Sequence, residues 1–351
     1  MAAGMADWLQ RDGAEHSMAD IASFAAHRRS HHECRAAISG TNVQQWISQL
    51  RDLAASPDSS FDQRLSSAQL DKGVLFVCSG QGPQWWAMGR QLYSHNQVFR
   101  DAINKCDREF AKYISWSLVE ELQRSEHKSR LQQTAIAQPS IFALQIALAA
   151  VWKDRGVRPR GVVGHSVGEI AAGYLSGALT WQDACCVAVH RGRTMDLASS
   201  RGAMIAAGLS ADETRQWIRG LEKDVSLAAI NGPTSVTISG ADEAIETLAK
   251  RLEKAGVFCR RLQVEYAFHS PQMDPVRDEL LRSLANIQPR ATHTTLISTV
   301  TGDYINGSDL DAEYWWKNVR QSVRFADAMT CLLYTSPSPR DQRGSRMPSS
   351  A

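Results

Sequence analysis

Residues 164–168 read Gly-His-Ser-Val-Gly, within the run "VVGHSVGEIAAGY". The pattern G-x-S-x-G suits a nucleophile elbow, a sharp strand-to-helix turn that exposes a serine hydroxyl at the carboxyl end of a strand. The flanks have the required character: "GVVG" reads as a short strand and "GEIAAGYLS" as a helix. Glycines on both sides of Ser166 tolerate a crowded turn. The helix that follows offers unpaired N–H groups, and partial positive charge, to an oxyanion. A plainer reading stays open here, because Ser166 and Glu169, three residues apart, also spell a helix-capping box.

A serine nucleophile needs a base. "EYAFHSPQMDP" holds His269 in a loop between apolar residues and a turn, where a purely structural histidine is the alternative. "SGQGPQ" follows an apolar run and could bring a second backbone N–H to the oxyanion, from Gln81. A dinucleotide loop is ruled out there, since Trp85 stands where the third glycine of G-x-G-x-x-G belongs. Arg191, in "AVHRGRTMD" on the helix after the elbow, is a cation in an otherwise apolar segment. Its planar fork suits a carboxylate, and an ordinary surface arginine is the alternative.

The elements that must position these residues alternate. "GVLFVCSGQGPQWWAMGRQL" reads as strand, loop and helix; "QPSIFALQIALAAVWKDRG" is a helix with an early proline, ended near Gly156. The elbow strand then leads into two helices broken around Gly177. Such alternation predicts a mostly parallel sheet covered on both faces. From Gly202 to about Val264 the order becomes β-α-β-β-α-β, a ferredoxin-like unit inserted in the larger one, with Ser and Asp opening its helices. Residues 1–70 are polar, alanine-rich and helical in pattern, closing on the linker-like "ASPDSSFDQ". The tail from Cys331, "CLLYTSPSPRDQRGSRMPSSA", loses periodicity and reads as disordered.

Composition bounds the partners. The chain has 351 residues, 43% hydrophobic and 22% charged, with a formal net charge of +2 and no long single-sign block. Neither nucleic acid nor a membrane surface is implied. Seven scattered cysteines, mostly in apolar runs, fit reduced thiols in the cytoplasm. The first residues lack the basic-then-apolar form of a secretory signal. The most apolar segment, 141–152, is interrupted by Gln145 and reads as a buried helix. In "AHRRSHHECR", His27, His31 and Cys34 have ligand-like spacing. No second ligand pair follows, and Arg28, Arg29 and Arg35 would repel a cation, so no metal site is expected.

"GQGPQW", "QPSIFALQIAL", "GHSVGEIAAGYLSGALT", "RGRTM", "NGPTSVTISG", "YAFHSPQMDP" and "YWWKNVRQSVRF" occur in an order that resembles the acyltransferase domains of modular type I polyketide synthases, relatives of malonyl-CoA:ACP transacylase. The resemblance runs from about Gly73 to Met329, and residues 1–70 resemble part of the linker between ketosynthase and acyltransferase. It implies an α/β fold: an α/β-hydrolase-like parallel-sheet subdomain over 71–201 and 267–330, with a ferredoxin-like subdomain over 202–266. Residues 331–351 are expected to be a disordered tail, similar to translated adapter sequence on a gene fragment, in place of a further core strand whose loss would expose a sheet edge.

The resemblance also implies roles. Ser166 is the nucleophile, His269 its general base, and the N–H groups of Gln81 and Val167 form the oxyanion hole. Arg191 pairs with the free carboxylate of an extender unit, with Gln138, His165, Phe268 and Tyr266 lining the substrate site. A backbone carbonyl near Thr299 is expected to orient the histidine in place of a triad carboxylate. No cofactor is implied in this domain. The substrate is an acyl-CoA, and the partners are an acyl carrier protein bearing phosphopantetheine and the ketosynthase of the same parent chain. Phe268 and Val167 favour malonyl, whereas Tyr266 echoes methylmalonyl-type domains. Ser322 stands where the family has a proline, a change expected to loosen a turn. Competing readings are a serine esterase or lipase, which would want an acidic partner for the histidine, and an inactive fragment of a synthase.

Overall fold

The computed structural model describes residues 1–28, 36–55, 73–198, 202–262, 264 and 266–334. His31, Cys34, most of "ASPDSSFDQ" and residues 335–351 lie outside them, and with them the metal, linker and most of the tail expectations. The chain forms two compact units, Met1–Gly73 and Val74–Ala351. In the first, helices Ala2–Arg11, Met18–His27 and Val43–Ala55 enclose a small core of Ala6, Leu9, Ile21, Ile47 and Leu50. Ser17 caps the second helix by accepting from Asp20 N–H.

The second unit carries two sheets. Strand β1 (Val74–Cys78) pairs in parallel with β2 (Pro159–Gly164). The four strands that follow are β3 (Gly202–Ala207), β4 (Val225–Gly232), β5 (Ser235–Ala241) and β6 (Cys259–Arg261). Strand β7 (Thr295–Ile297) returns to the first sheet, whose order is β1-β2-β7, all parallel. β3 to β6 form an antiparallel sheet of order β4-β5-β3-β6, the arrangement a β-α-β-β-α-β unit requires when its two helices cover one face. Helices Ala211–Trp217 and Asp242–Lys254 cover that sheet over a core of Ile205, Val225, Ile238, Ile245, Leu248 and Leu252.

Ser210 opens the first of these helices with a complete capping box to Glu213. Asp242 does not cap the second: Ala241 is its N-cap, and Asp242 sits in the first turn, where its charge faces the helix dipole.

The long helix Thr134–Asp154 begins one turn before Gln138, so Pro139 lies inside it. By length and composition it could cross a membrane, but about two-thirds of it is buried, and Phe142, Ile146 and Ala147 belong to the main core. Helices Gly168–Ser176 and Trp181–Leu197 follow the elbow, separated at Gly177, whose φ of 89° favours glycine. The last helix, Phe325–Tyr334, continues past Cys331, where the composition predicts the tail. Leu332 decides the difference: it is 5% exposed and packs with Val163, Ile297 and Ala328 beneath the parallel sheet.

Candidate active site

Ser166 and His269 are the two non-glycine residues with positive φ among the described residues, at 54° and 59°. Such conformations are strained for ordinary side chains and persist where the surroundings hold them. At Ser166 the surroundings are glycines. A Cβ on Gly164 would fall 2.1 Å from Glu169 N, and one on Gly168 would fall 2.2 Å from Cys78 O, so the elbow is pressed against the end of β1. His165 N–H donates to Cys78 O at 2.9 Å and ties the turn to the same strand.

The elbow presents Ser166 Oγ 2.9 Å from His269 Nε2, and His269 Nδ1–H donates to the backbone carbonyl of Gln321 at 2.9 Å. A carbonyl only accepts, so Nδ1 carries the hydrogen and Nε2 is left to accept the serine proton. The orienting carbonyl is therefore Gln321, not one near Thr299. Thr299 serves the elbow instead: its Oγ1 donates to Gly164 O at 3.0 Å and its N–H to Glu169 Oε1. Nor does Ser322 loosen its turn, because its hydroxyl donates to Leu227 O on β4 and so fastens the Gln321 loop to the antiparallel sheet.

Arg191 is completely buried. Its Nη2 donates to Ser166 Oγ at 3.0 Å, Nη1 to Gln138 Oε1 at 2.7 Å and Nε to Asn318 Oδ1 at 2.9 Å. Gln138 Nε2 reaches Gln81 Oε1 at 3.3 Å, which brings the glycine loop after β1 to the same centre. An activated serine, a neutral imidazole and a buried guanidinium around one point suit acyl transfer of a group that carries an anion.

Residues 75–338 match the acyl transferase domain family. The chain belongs to that family. Erythronolide synthase EryA2 of Saccharopolyspora erythraea is 37% identical over 332 residues, covering 94% of this chain and 9% of the synthase. The chain thus spans a small part of the curated relatives it matches. The crystal structure of the acyltransferase domain from module 8 of the salinomycin polyketide synthase superposes with a TM-score of 0.84 at 35% identity, covering 94% of this chain and 78% of that one. The acyltransferase domain of SpnD, in complex with 2-(pent-4-yn-1-yl)malonyl, matches with a TM-score of 0.80 at 28% identity, over 94% and 77% of the two chains. Polyketide synthase acyltransferase domains share both the fold and most of the length of the chain.

Of the remaining expected residues of this acyltransferase domain, His165 and Val167 flank Ser166, and Phe268 precedes His269. His165 Nε2–H donates to Asn231 Oδ1 at 2.9 Å, joining the elbow to the β4–β5 hairpin. Phe268 is buried and stacks on Tyr266 with ring centroids 5.5 Å apart and planes 10° apart. Tyr266 donates its hydroxyl hydrogen to Asp196 at 3.2 Å. Val167 is buried at the start of the helix, and among the described residues no acceptor meets the backbone N–H of Val167 or Gln81.

Burial sets the charge states. His269 is pushed down to about 3, first by desolvation and then by the charges of Arg191 and His165, against the Gln321 hydrogen bond that raises it. Burial also lowers His165, opposed by its bond to Asn231. His269 is therefore neutral at pH 7. Burial pulls Arg191 down to about 9, with Glu169 pulling it back up, so the guanidinium stays protonated.

Glu169 was readable in the sequence only as a capping-box partner, and that box does not form. Ser166 Oγ faces His269 and Arg191, while the buried Glu169 carboxyl turns inward to Thr299 N–H, Tyr314 O–H and Asn318 Nδ2. Nothing in the residue types of Gln321, Asn318 and Asn231 marks them for the site either, although all three lie in the segments "YWWKNVRQSVRF" and "NGPTSVTISG".

Proposed function

We propose that this domain transfers malonyl groups from CoA to the phosphopantetheine thiol of an acyl carrier protein in the cytoplasm, as one step of a polyketide synthase that also contains a ketosynthase. Ser166 Oγ attacks the thioester carbonyl while its proton passes to His269 Nε2. The N–H groups of Gln81 and Val167 face the oxyanion, each contributing about 3 kcal/mol to the transition state. CoA leaves as thiolate and takes the proton from His269. The carrier thiol then gives its proton to His269, attacks the acyl-serine, and Ser166 recovers its hydrogen as the product leaves. A thioester is already activated, so a Ser-His pair held by the Gln321 carbonyl suffices without a carboxylate.

The single observation that carries this reading is the donor count at Arg191. The guanidinium has five N–H groups, and three are engaged by Asn318, Gln138 and Ser166. The two that remain, one on each Nη, match a bidentate carboxylate. An acyl group without a carboxylate would leave those two buried N–H groups without an acceptor, which disfavours acetyl and fatty acyl groups. The malonyl-derived ligand of the SpnD domain is consistent with this class of substrate. Phe268, packed face to face on Tyr266, occupies space that an α-substituent would need. His165 and Gln138 line the site as hydrogen-bonding groups.

The test is competition among malonyl-, methylmalonyl- and acetyl-CoA, followed by a phosphopantetheinylated carrier protein, with both proteins read by mass spectrometry. Malonyl on the domain, and then on the carrier, is expected. Dominant methylmalonyl or acetyl loading would overturn the extender assignment. Release of free acid without carrier acylation would favour the hydrolase.

A further inference from the structure

A second buried ionisable group of the site is not used by the chemistry above. Glu169, on the helix after the elbow, is fully buried, and its carboxylate receives three donors. Oε1 accepts from Thr299 N–H and from Tyr314 O–H at 3.1 Å; Oε2 accepts from Asn318 Nδ2–H. Tyr314 is free to donate, because Ser298 Oγ, which lies 2.8 Å away and accepts from Val300 and Thr301 N–H, has its own hydrogen for the tyrosine oxygen. Asn318 is consequently held at both ends of its amide. Nδ2 faces Glu169 and also the Ser166 carbonyl at 3.3 Å, while Oδ1 accepts from Arg191 Nε at 2.9 Å.

We infer that Asn318, locked by Glu169, is a positioning residue that sets acyl-group specificity by fixing the rotation of the Arg191 guanidinium, so that its Nη edge faces the acyl pocket. The inference rests on the proposed malonyl transfer. Charge and geometry both require such a device. A guanidinium on a flexible stem, buried with two open N–H groups, would otherwise turn its fork toward any nearby carbonyl. The only planar anchor on the Nε side, among the described residues, is Asn318. Asn318 has a reason to present its oxygen rather than its nitrogen, because the Glu169 carboxylate claims the nitrogen. At one amide's remove, Glu169 also favours the charged form of the buried Arg191, against the desolvation that lowers it. A direct Glu-Arg pair would fill the fork and block the substrate; the intervening amide leaves it open.

The experiment compares acylation of wild type, Asn318→Ala, Asn318→Asp and Glu169→Gln by malonyl-CoA and by acetyl-CoA, with kcat and KM separated. Asn318→Ala should reduce the malonyl-to-acetyl ratio of kcat/KM about tenfold or more, mainly through the malonyl KM, and leave acetyl loading within about threefold. Asn318→Asp keeps an oxygen for Nε but sets a second carboxylate against Glu169, and should also lower the ratio. Glu169→Gln preserves the shape and keeps one acceptor oxygen for Asn318, at the cost of the acceptor for Thr299 N–H, and should retain the ratio better than either Asn318 variant. If Asn318→Ala does not fold, the order of Glu169→Gln above Asn318→Asp decides the question. Equal losses for the two acyl groups in every variant, as a merely structural role would give, overturn the inference. No malonyl acylation of the wild type would instead overturn the functional reading, and this inference with it.

Discussion

Arg191 Nη2 and Ser166 Oγ are hydrogen-bonded directly at 3.0 Å, on the same oxygen that meets His269 Nε2 at 2.9 Å. In the proposed reaction the cation that receives the acyl carboxylate would therefore touch the nucleophile, so that binding and chemistry share one atom. Arg191→Ala should lower malonyl loading on the order of 10²-fold or more, the usual scale for removing one member of a buried charge pair. Acetyl loading should fall much less, and equal losses would count against the role of Arg191.

The pH dependence follows from two buried groups with opposite signs. His269 lies at about 3 in the folded chain, below its ordinary 6.5, so the unfolded chain binds the extra proton between those values. Its contribution to stability is complete above pH 6.5 and is lost as pH falls toward 3. Glu169 is raised by burial to about 7 from 4.5, against the pull of its donors. Its contribution is complete below pH 4.5 and is lost as pH rises through 7. Glu169→Gln should therefore gain stability relative to wild type as pH goes from about 5 to about 8. Thermal melts at both pH values check this, and an offset that does not change with pH would contradict it. Acylation should also show no rising limb near the ordinary histidine value, because the base is already neutral well below it.

Phe268 stacks on Tyr266 and is buried beside His269. Phe268→Ser should open room for an α-methyl and raise methylmalonyl over malonyl loading by about tenfold, the scale of one methyl-sized contact. Mixed-substrate mass spectrometry reads the ratio directly; an unchanged ratio would place the extender filter elsewhere.

Leu332 packs under the parallel sheet against Val163, Ile297 and Ala328. Leu332→Ala should cost about 2–4 kcal/mol and lower Tm by roughly 5 °C or more. An unshifted melt would mean that the end of the helix Phe325–Tyr334 is not part of the core.

The parts of the site that lie close in sequence were legible there. The elbow announces itself because a strand, two glycines and a helix must adjoin for Ser166 to be exposed, and the β-α-β-β-α-β order follows from local periodicity. What was not legible depends on distant backbone or on burial. The partner of His269 is a carbonyl, which every residue possesses, so nothing in the side chain of Gln321 marks it. Glu169 satisfies a local capping rule on paper; only the approach of Thr299, Tyr314 and Asn318 from three distant segments makes it a buried hub. "CLLY" looks like the start of a polar tail because composition averages over neighbours, whereas Leu332 is judged by what lies opposite it. Asp242, a good capping residue by type, lies one position inside the helix because the turn into it is set at Ala241.

Intact-mass measurement after malonyl-CoA treatment, with the adduct mapped by peptide digestion, tests the central claim most directly. One malonyl group is expected on the peptide containing Ser166 in the wild type, and none in Ser166→Ala. A malonyl adduct that survives in Ser166→Ala, or maps to another residue, would contradict the account.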